Sequence, residues 1–220
     1  MTSFKRARSE EQRAERRAKI LETAAAMLAE TPVSQVSLNE LSRRVCLAKS
    51  NVLRYFESRE AVLLELLVAE QQGWLSQLGE DLSAVSGSAA ARGDQVVATI
   101  VESLAARPIL CDLISSQAAV LEHNVSPEVA AKYKRAAIAD FGVLNELLLA
   151  HLPELGAPDA QRFAAGAFLM AGAVWTHSRP SAAMLAVYEA DPALAALRID
   201  FATTLREVLE ILLAGLFARQ

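Results

Sequence analysis

The chain has 220 residues, of which 53% are hydrophobic and only 9 are glycine and 7 proline, and this composition predicts an all-α protein. Its longest apolar run, at 163–175, is shorter than the roughly 20 residues of a membrane helix, and the charged N-terminal stretch lacks the apolar core of a secretory signal, so we expect a cytoplasmic protein. Residues 1–60 carry a net charge of +4 and residues 61–220 a net charge of −8, a division that indicates a polyanionic partner for the N-terminal part.

The first predicted helix covers residues 15–30 and ends before a proline. Apolar residues recur there at the spacing of one helix face, at Ile20, Ala24, Met27 and Leu28. Pro32 disfavours helical backbone at the residue before it, which predicts the end of the helix. Ser37 with Glu40 forms the pattern of a capping box and predicts a second, short helix.

A third short helix is predicted in "KSNVLRYF", residues 49–56. Val52, Tyr55 and Phe56 share one side of it, and the other side is occupied by Lys49, Ser50, Leu53 and Arg54. Ser58 is placed to cap a fourth helix that runs from 59 to about 78 and that we expect to be the only connection to the remainder. Two short helices separated by a tight turn predict a helix-turn-helix, whose second helix enters the major groove of DNA.

The segment "ILETAAAMLAETPVSQVSLNELSRRVCLAKSNVLRYFESREAVL", Ile20 to Leu63, resembles the DNA-binding segment of the TetR family of transcriptional regulators. The pairing of "VSLNEL" with "RYFESREAVL" at the family's spacing carries the resemblance. It implies a helix-turn-helix domain at 1–62, joined by the helix from 59 to a helical effector-binding and dimerisation domain at 63–220. It also implies three partners, namely double-stranded operator DNA, a second copy of the chain and a small-molecule effector.

The resemblance assigns DNA contacts to one cluster of residues around the third helix. These are Lys49, Ser50, Asn51, Leu53, Arg54, Tyr55 and, as a phosphate contact, Arg59. Packing beneath the helix is the alternative for Tyr55, and simple solvation is the alternative for Lys49. The chain departs from the family pattern at three positions: Cys46 replaces a glycine that permits positive φ, Ala48 replaces a capping serine, and Leu53 replaces a tyrosine and can meet a thymine methyl group.

Beyond a linker expected at 79–94, further helices are predicted at about 94–106, 108–122, 127–152, 158–177, 181–190 and 192–218. The last is lined by leucines at helical spacing, and 158–177 is lined by small residues that allow close helix approach. We expect these two helices to form the dimer interface through Ala164, Ala167, Ala171, Leu205, Leu209, Leu212 and Leu216. The alternative is that either helix belongs to the internal core of one chain.

Polar and aromatic residues that interrupt the apolar helices are candidates to line an effector pocket: Cys111, Gln117, His123, Tyr133, Phe168, Trp175 and His177. For each of them, an ordinary core or surface position is the alternative. Neither the three histidines nor the two cysteines have the spacing of a metal site. No catalytic motif is recognisable, so we expect no enzymatic activity, no metal and no cofactor.

Together these observations predict a dimeric repressor that binds a palindromic operator and is released by a small, mainly apolar ligand. An activator or a corepressor-dependent regulator has the same fold and differs in the sign of the ligand effect. A helical ligand-binding or interaction protein without specific DNA binding is the alternative of another class, because Cys46 and the missing cap at Ala48 weaken the recognition motif.

Overall fold

A computed structural model of the chain describes the backbone of residues 2–219 and the side chains of residues 10–219. This part of the chain contains eleven α-helices and no β-strand, which confirms the all-α prediction. The helices are α1 (Thr2–Glu30), α2 (Leu38–Arg44), α3 (Lys49–Val52), α4 (Arg59–Asp81), α5 (Ala89–Ala105), α6 (Pro108–Ser116), α7 (Pro127–His151), α8 (Gly156–Ser178), α9 (Ala182–Ala190), α10 (Pro192–Ala195) and α11 (Phe201–Phe217). A five-residue π-helix, Gln117–Leu121, follows α6.

Several sequence predictions about helix bounds were wrong. The third helix, expected over 49–56, ends at Val52. The expected linker at 79–94 is mostly helical, because Ser88 caps α5 by accepting a hydrogen bond from the Ala91 amide at 3.3 Å and the alanines after it are strong helix formers. The expected single helix at 192–218 is two helices. Asp200 caps α11 by accepting a bond from the Thr203 amide at 2.9 Å, so the chain leaves the helical conformation just before it.

The chain divides into two compact units. The first contains the residues up to Ala69 together with Ser116–Lys134, and the second contains Glu70–Ser115 together with the residues from Arg135 onward. The chain therefore passes between the units three times, at 69/70, 115/116 and 134/135. The expectation that α4 is the only covalent connection was wrong, since α7 also continues from one unit into the other.

The first unit is built on the apolar stripes that the sequence shows. Ile20 and Ala24 of α1, Leu41 of α2 and Val52 of α3 are all at least 99% buried, and Phe56 is nearly so. Because α3 is only four residues long, its own hydrogen bonds stabilise it little. Its position therefore depends on these two apolar side chains, Val52 and Phe56.

In the second unit, α11 packs against α5 and α8. Leu205 and Leu209 of α11 are fully buried within the single chain, as is Ala164 of α8. Gly166 has no side chain in this packing, and a Cβ atom there would lie 2.5 Å from Leu212 Cδ2. Close packing of this kind stabilises the interior of one subunit.

The residues expected to form the dimer interface are therefore mostly internal. Six of the seven are buried in the single chain and one, Leu212, is partly exposed; the six are Ala164, Ala167, Ala171, Leu205, Leu209 and Leu216. The leucine stripe of α11 lies on the side of the helix that packs against α5 and α8, and the three alanines of α8 are buried within the same chain. These six residues fit the alternative interpretation, in which the two helices belong to the internal core of one chain.

Within residues 2–219, no single helix combines the length and the hydropathy of a membrane span. Only α7 taken together with the following segment, Pro153–Ser178, meets the criteria as a pair, and the two are bent by 106°.

Candidate functional site

The turn between α2 and α3 contains Cys46 at the position where the family pattern has a glycine. Cys46 has a φ of 55°, in the left-handed region, which is uncommon for any residue with a Cβ atom. Ala48 precedes α3 and gives no side-chain cap. The missing cap of the recognition helix is therefore confirmed.

The capping box at the start of α2 is only half formed. Ser37 Oγ accepts a hydrogen bond from the Glu40 amide at 3.2 Å. The Glu40 carboxylate binds Arg43 and Arg44 instead of the backbone, with distances of 2.6 to 2.9 Å. Hydrogen bonds from Arg43 and then Arg44 lower the pKa of Glu40 from 4.5 to about 2.

The short helix α3 presents two different faces. Val52 and Phe56 are buried against the first unit. The residues on the other side are exposed, and five of the residues to which DNA contacts were assigned are among them: Lys49, Ser50, Asn51, Leu53 and Arg54. Tyr55 is half-buried. This arrangement fixes α3 through its apolar face and leaves the polar face available to a partner.

A groove of about 680 Å³ lies between the α3 region and residues 12–16 of α1. Its lining contains three arginines and no lysine, and it consists of Gln12, Arg13, Glu15, Arg16, Leu47, Asn51, Arg54 and Tyr55. Arg13 and Arg16 were missed by the sequence reasoning, which considered only the buried face of α1. Their spacing of three residues in "RAER" places them on one face of a helix and is the signal that could have found them.

Arg59 makes internal contacts as well as facing a surface cavity. Its Nη1 donates to the Val36 carbonyl at 3.0 Å, and its Nε donates to Glu60 at 3.0 Å. Arg59 and Lys49 both line a shallow cavity on the α2 side of the unit. The arginine thus joins the start of α4 to the loop before α2, a structural role that the family resemblance did not indicate.

Glu65 of α4 connects three helices of the first unit. Arg17 of α1 donates to it at 2.6 Å through Nε, and Lys132 of α7 donates to it at 2.9 Å. Burial alone would raise the pKa of Glu65, but the hydrogen bonds from Arg17 and Lys132 hold that pKa below its ordinary value. Nearby, the Ser126 amide donates to the Glu57 carboxylate at 2.5 Å. Segment 116–134 is therefore attached to the helix-turn-helix by two carboxylates.

The second unit contains an apolar cleft among α4, α5, α6, α7 and α8. Its free volume is about 10 Å³, and its lining consists of Trp74, Ile100, Leu104, Ile114, Leu144, Leu148, Phe163, Ala164, Ala167, Phe168 and Ala171. Ten cubic ångströms is about the space of one water molecule, so a larger molecule can enter only if side chains or helices move. Every lining residue is apolar or aromatic.

Of the seven residues suggested as pocket lining, only Phe168 lines this cleft. The Cys111 thiol is buried, with Sγ 3.3 Å from the Leu104 carbonyl oxygen, and burial raises its pKa to about 12. His123 and His177 are exposed.

Gln117 donates to Glu122 at 2.5 Å, and together with Tyr133 it belongs to the first unit. Trp175 packs edge-on against Phe201 with ring centres 5.2 Å apart. No group of His, Cys, Asp and Glu side chains in the described residues is arranged to hold a metal ion.

Comparison with known families gives two adjacent matches along the chain. Residues 20–66 match the family described as bacterial regulatory proteins, tetR family, and residues 68–220 match the family described as tetracyclin repressor-like, C-terminal domain. The second match alone covers more than half of the chain. The chain belongs to the TetR family. It is a DNA-binding transcription regulator with a helix-turn-helix domain, and TetR-family regulators of this kind are not enzymes.

Solved structures of TetR-family and related regulators share the fold. A possible TetR regulator from Streptomyces coelicolor A3(2) is 18% identical, with a TM-score of 0.58 over 93% of this chain and 100% of that one. The regulator FadR from Bacillus subtilis, solved in complex with stearoyl-CoA, is 16% identical, with a TM-score of 0.57 over 90% of this chain and 98% of that one. No curated protein sequence matches the chain significantly.

Proposed function

We propose that this TetR-family chain is a dimeric repressor that acts in the cytoplasm, binds a palindromic operator and leaves it when a small, mainly apolar ligand enters the second unit. The observation that carries the DNA half of the proposal is the polar face of α3. Lys49, Asn51 and Arg54 are exposed on a helix whose opposite face is buried. Side chains of these types form the hydrogen bonds with base edges that distinguish sequences in the major groove.

Arg13 and Arg16 extend this surface onto α1. Both line the same groove as Asn51 and Arg54. Arginines beside a recognition helix contact phosphates, which fixes the register of the protein on the duplex without reading sequence. We therefore assign positioning to Arg13 and Arg16 and base reading to Lys49, Asn51 and Arg54.

The dimer interface that we propose uses the two helices named from the sequence, but their opposite faces. Ile211 of α11 is 73% exposed and Leu169 of α8 is 66% exposed. On α11, Val208, Ile211 and Gly215 follow one another at helical spacing on a partly or fully exposed face. Exposed apolar residues that form a contiguous face indicate an interface.

The helices α9 and α10 form an apolar arm that exposes a second apolar surface in the same unit. It contains no buried residue, although four of its large side chains are apolar and exposed: Met184, Leu185, Val187 and Leu194. A helix of nine residues is marginal by itself. We propose that a second copy of the chain covers this arm together with α8 and α11.

The ligand half of the proposal rests on the cleft beside Trp74 and Phe168. Its lining offers aromatic and aliphatic surface and no cation, which favours an apolar molecule. The related FadR structure contains stearoyl-CoA, but its low identity extends only the fold to this chain. Because the cleft is nearly closed, a ligand selects an opened state of the second unit.

The attachment of segment 116–134 to the helix-turn-helix offers a route for coupling. The contact Ser126–Glu57 joins this segment to the end of the recognition segment, and the contact Lys132–Glu65 joins it to α4. The π-helix, Gln117–Leu121, lies at the start of the segment. Movement of α6 or α7 on ligand entry would change the geometry of these two contacts. By linkage, the ligand then weakens operator binding by the same factor by which operator weakens ligand binding, typically about 5- to 150-fold.

Selection of bound DNA from a random pool tests the DNA half. We expect an inverted repeat, because a two-fold dimer presents two recognition helices to successive major grooves. Lys49→Ala and Arg54→Ala should each weaken binding by about 1 to 3 kcal/mol and relax the base preference at one position of each half-site. Arg135→Ala removes an exposed arginine of the second unit and is the matched control. A selected site without symmetry would contradict the dimeric repressor. No selected site at all would favour the interaction protein.

The direction of the ligand effect separates a repressor from the alternatives of the same fold. A ligand that weakens operator binding supports release, whereas one that strengthens it supports a corepressor-dependent regulator. Transcription from the selected operator, measured with and without the protein, then distinguishes a repressor from an activator.

A further inference from the structure

Asp140 of α7 is a buried carboxylate with an unsatisfied oxygen. Its side chain belongs to a residue that is only 4% exposed. Oδ1 receives one long hydrogen bond, 3.4 Å from Gln72 Nε2, and Oδ2 has no hydrogen-bond partner among the side chains and backbone that the structure describes. A buried carboxylate is normally paired with a cation or fully hydrogen-bonded, because burial of an unpaired charge is costly.

Asp140 lies on the same face of α7 as the apolar cleft. Asp140, Leu144 and Leu148 follow one another at intervals of four residues, so they form one stripe along the helix. Leu144 and Leu148 line the cleft, which places the carboxylate one helical turn from that lining. Phe141, next to Asp140, packs edge-on against the cleft residue Phe168 with ring centres 5.4 Å apart.

A second unsatisfied acceptor lies on the same helix. Asn145 Oδ1 is buried and lacks a hydrogen-bond partner within the described part of the chain. Asn145 follows Phe141 by one turn, so it lies beside the stripe formed by Asp140, Leu144 and Leu148. Near the cleft, α7 therefore carries two oxygen acceptors, Asp140 Oδ2 and Asn145 Oδ1, without donors among the described residues.

We propose that the cleft takes a lipophilic amine, whose chain occupies the space beside Trp74 and Phe168 and whose protonated nitrogen pairs with Asp140. The proposal rests on the proposed effector role of this cleft and specifies the chemical class of its ligand. An ammonium group supplies both the positive charge and the hydrogen-bond donors that the carboxylate lacks. Burial raises the pKa of Asp140, an effect that the Gln72 hydrogen bond partly offsets, and an ammonium partner would favour the ionised form again.

The same arrangement disfavours ligands with an acidic head. A fatty acid would place its carboxylate beside Asp140, and like charges at close range repel. None of the cleft-lining residues is cationic, so none offsets that repulsion. An amine and a fatty acid of equal chain length therefore separate the charge contribution from the apolar contribution.

Isothermal titration calorimetry on the full chain tests the proposal with three probes of ten carbons, decylamine, decanol and decanoate, with decylamine and decanoate below their critical micelle concentrations and decanol below its solubility limit. We expect decylamine to bind at least about tenfold more tightly than decanoate, which corresponds to about 1.4 kcal/mol. Asp140→Asn keeps the shape of the side chain and removes its charge, and it should weaken decylamine binding by about tenfold while changing decanol binding by less than about threefold. Asp94→Asn makes the same chemical change at an exposed position of α5 and should bind all three probes as the unsubstituted chain does.

Three outcomes would overturn the proposal: equal decylamine affinity in the Asp140→Asn variant and the unsubstituted chain, decanoate binding as tightly as decylamine, or no binding of any probe. If the variant fails to fold, the comparison of decylamine with decanoate in the unsubstituted chain decides alone. Gel shifts with the selected operator keep the two proposals distinguishable. Decylamine that binds without weakening operator binding leaves the amine site standing and contradicts the release mechanism. If the chain binds the operator but binds none of the three probes, the amine site is contradicted and the proposed DNA-binding function stands.

Discussion

The guanidinium of Arg17 lies over the ring of Phe56, 4.0 Å from the ring centre. The same guanidinium donates to the Tyr55 carbonyl at 2.6 Å and binds the Glu65 carboxylate. Phe56 is the aromatic residue that closes the recognition segment and packs into the first unit. A single arginine of α1 thus holds the end of the recognition segment and the first turns of α4 in one arrangement.

Replacement of Arg17 by alanine should loosen this arrangement. We expect Arg17→Ala to lower the free energy of unfolding by about 1 to 3 kcal/mol, because a part-buried charged hydrogen-bond donor is lost and Glu65 keeps only Lys132. Urea denaturation measures this, and operator binding should weaken in parallel. Lys19→Ala removes an exposed lysine two residues away that pairs with the exposed Glu22, and its effect should stay below about 0.5 kcal/mol. Equal effects of the two substitutions would contradict the role of Arg17.

Replacement of Cys46 by glycine should remove backbone strain from the turn before the recognition helix. Cys46 has a φ of 55°, and a residue with a Cβ atom pays about 1 to 2 kcal/mol in this region, whereas glycine does not. Cys46→Gly should raise the free energy of unfolding by up to about 1 kcal/mol, since the greater freedom of glycine in the unfolded chain offsets part of the gain. Cys46→Ala keeps the Cβ atom and should give no gain. A stabilising alanine would show that the thiol, and not the backbone, is unfavourable.

The proposed dimer surface predicts different outcomes for neighbouring residues of α11. Ile211→Asp places a charge on the exposed apolar face and should give a folded monomer with lost operator binding, because each half-site is then bound singly. Leu209→Ala opens a cavity inside the chain and should cost about 2 to 5 kcal/mol while leaving the association surface unchanged. Sedimentation and urea denaturation together separate the two. A tight dimer in Ile211→Asp would place the interface elsewhere.

Acid should weaken the helix-turn-helix through Glu40. The pKa of this carboxyl falls from 4.5 to about 2 in the folded chain because Arg43 and Arg44 donate hydrogen bonds to it. A lowered folded pKa means that the stabilisation is complete above pH 4.5 and is lost as the pH falls towards 2. Glu40→Gln should therefore reduce the loss of stability between pH 5 and about 2.5, measured by urea denaturation at each pH. Glu22→Gln, an exposed substitution on α1, should leave that loss unchanged, and an equal reduction in both variants would contradict the assignment.

The sequence by itself determined the DNA-binding half of the fold. Each of its elements carries a local signal: Ser37 caps α2, Ser58 caps α4 through the Ala61 amide at 3.1 Å, and Val52 and Phe56 mark the buried side of α3. Such signals act over three or four residues, so they can be recognised without knowledge of the remaining chain. The resemblance also drew attention to Cys46 by placing a glycine there, but only the structure gives the positive φ of that residue.

Only the tertiary structure decided which apolar face of a helix meets the same chain. Leu209 and Ile211 of α11 are equally apolar, yet one is fully buried and the other is 73% exposed. Periodicity identifies an apolar stripe but not the partner that covers it, because the contacts of α11 with α8 and α5 join residues far apart in the sequence, such as Gly166 with Leu212 and Gly93 with Leu213. The carboxylate of Asp140 was overlooked for the same reason: its unsatisfied oxygen is a property of the packed neighbours of α7, and no pattern in the sequence of α7 contains them.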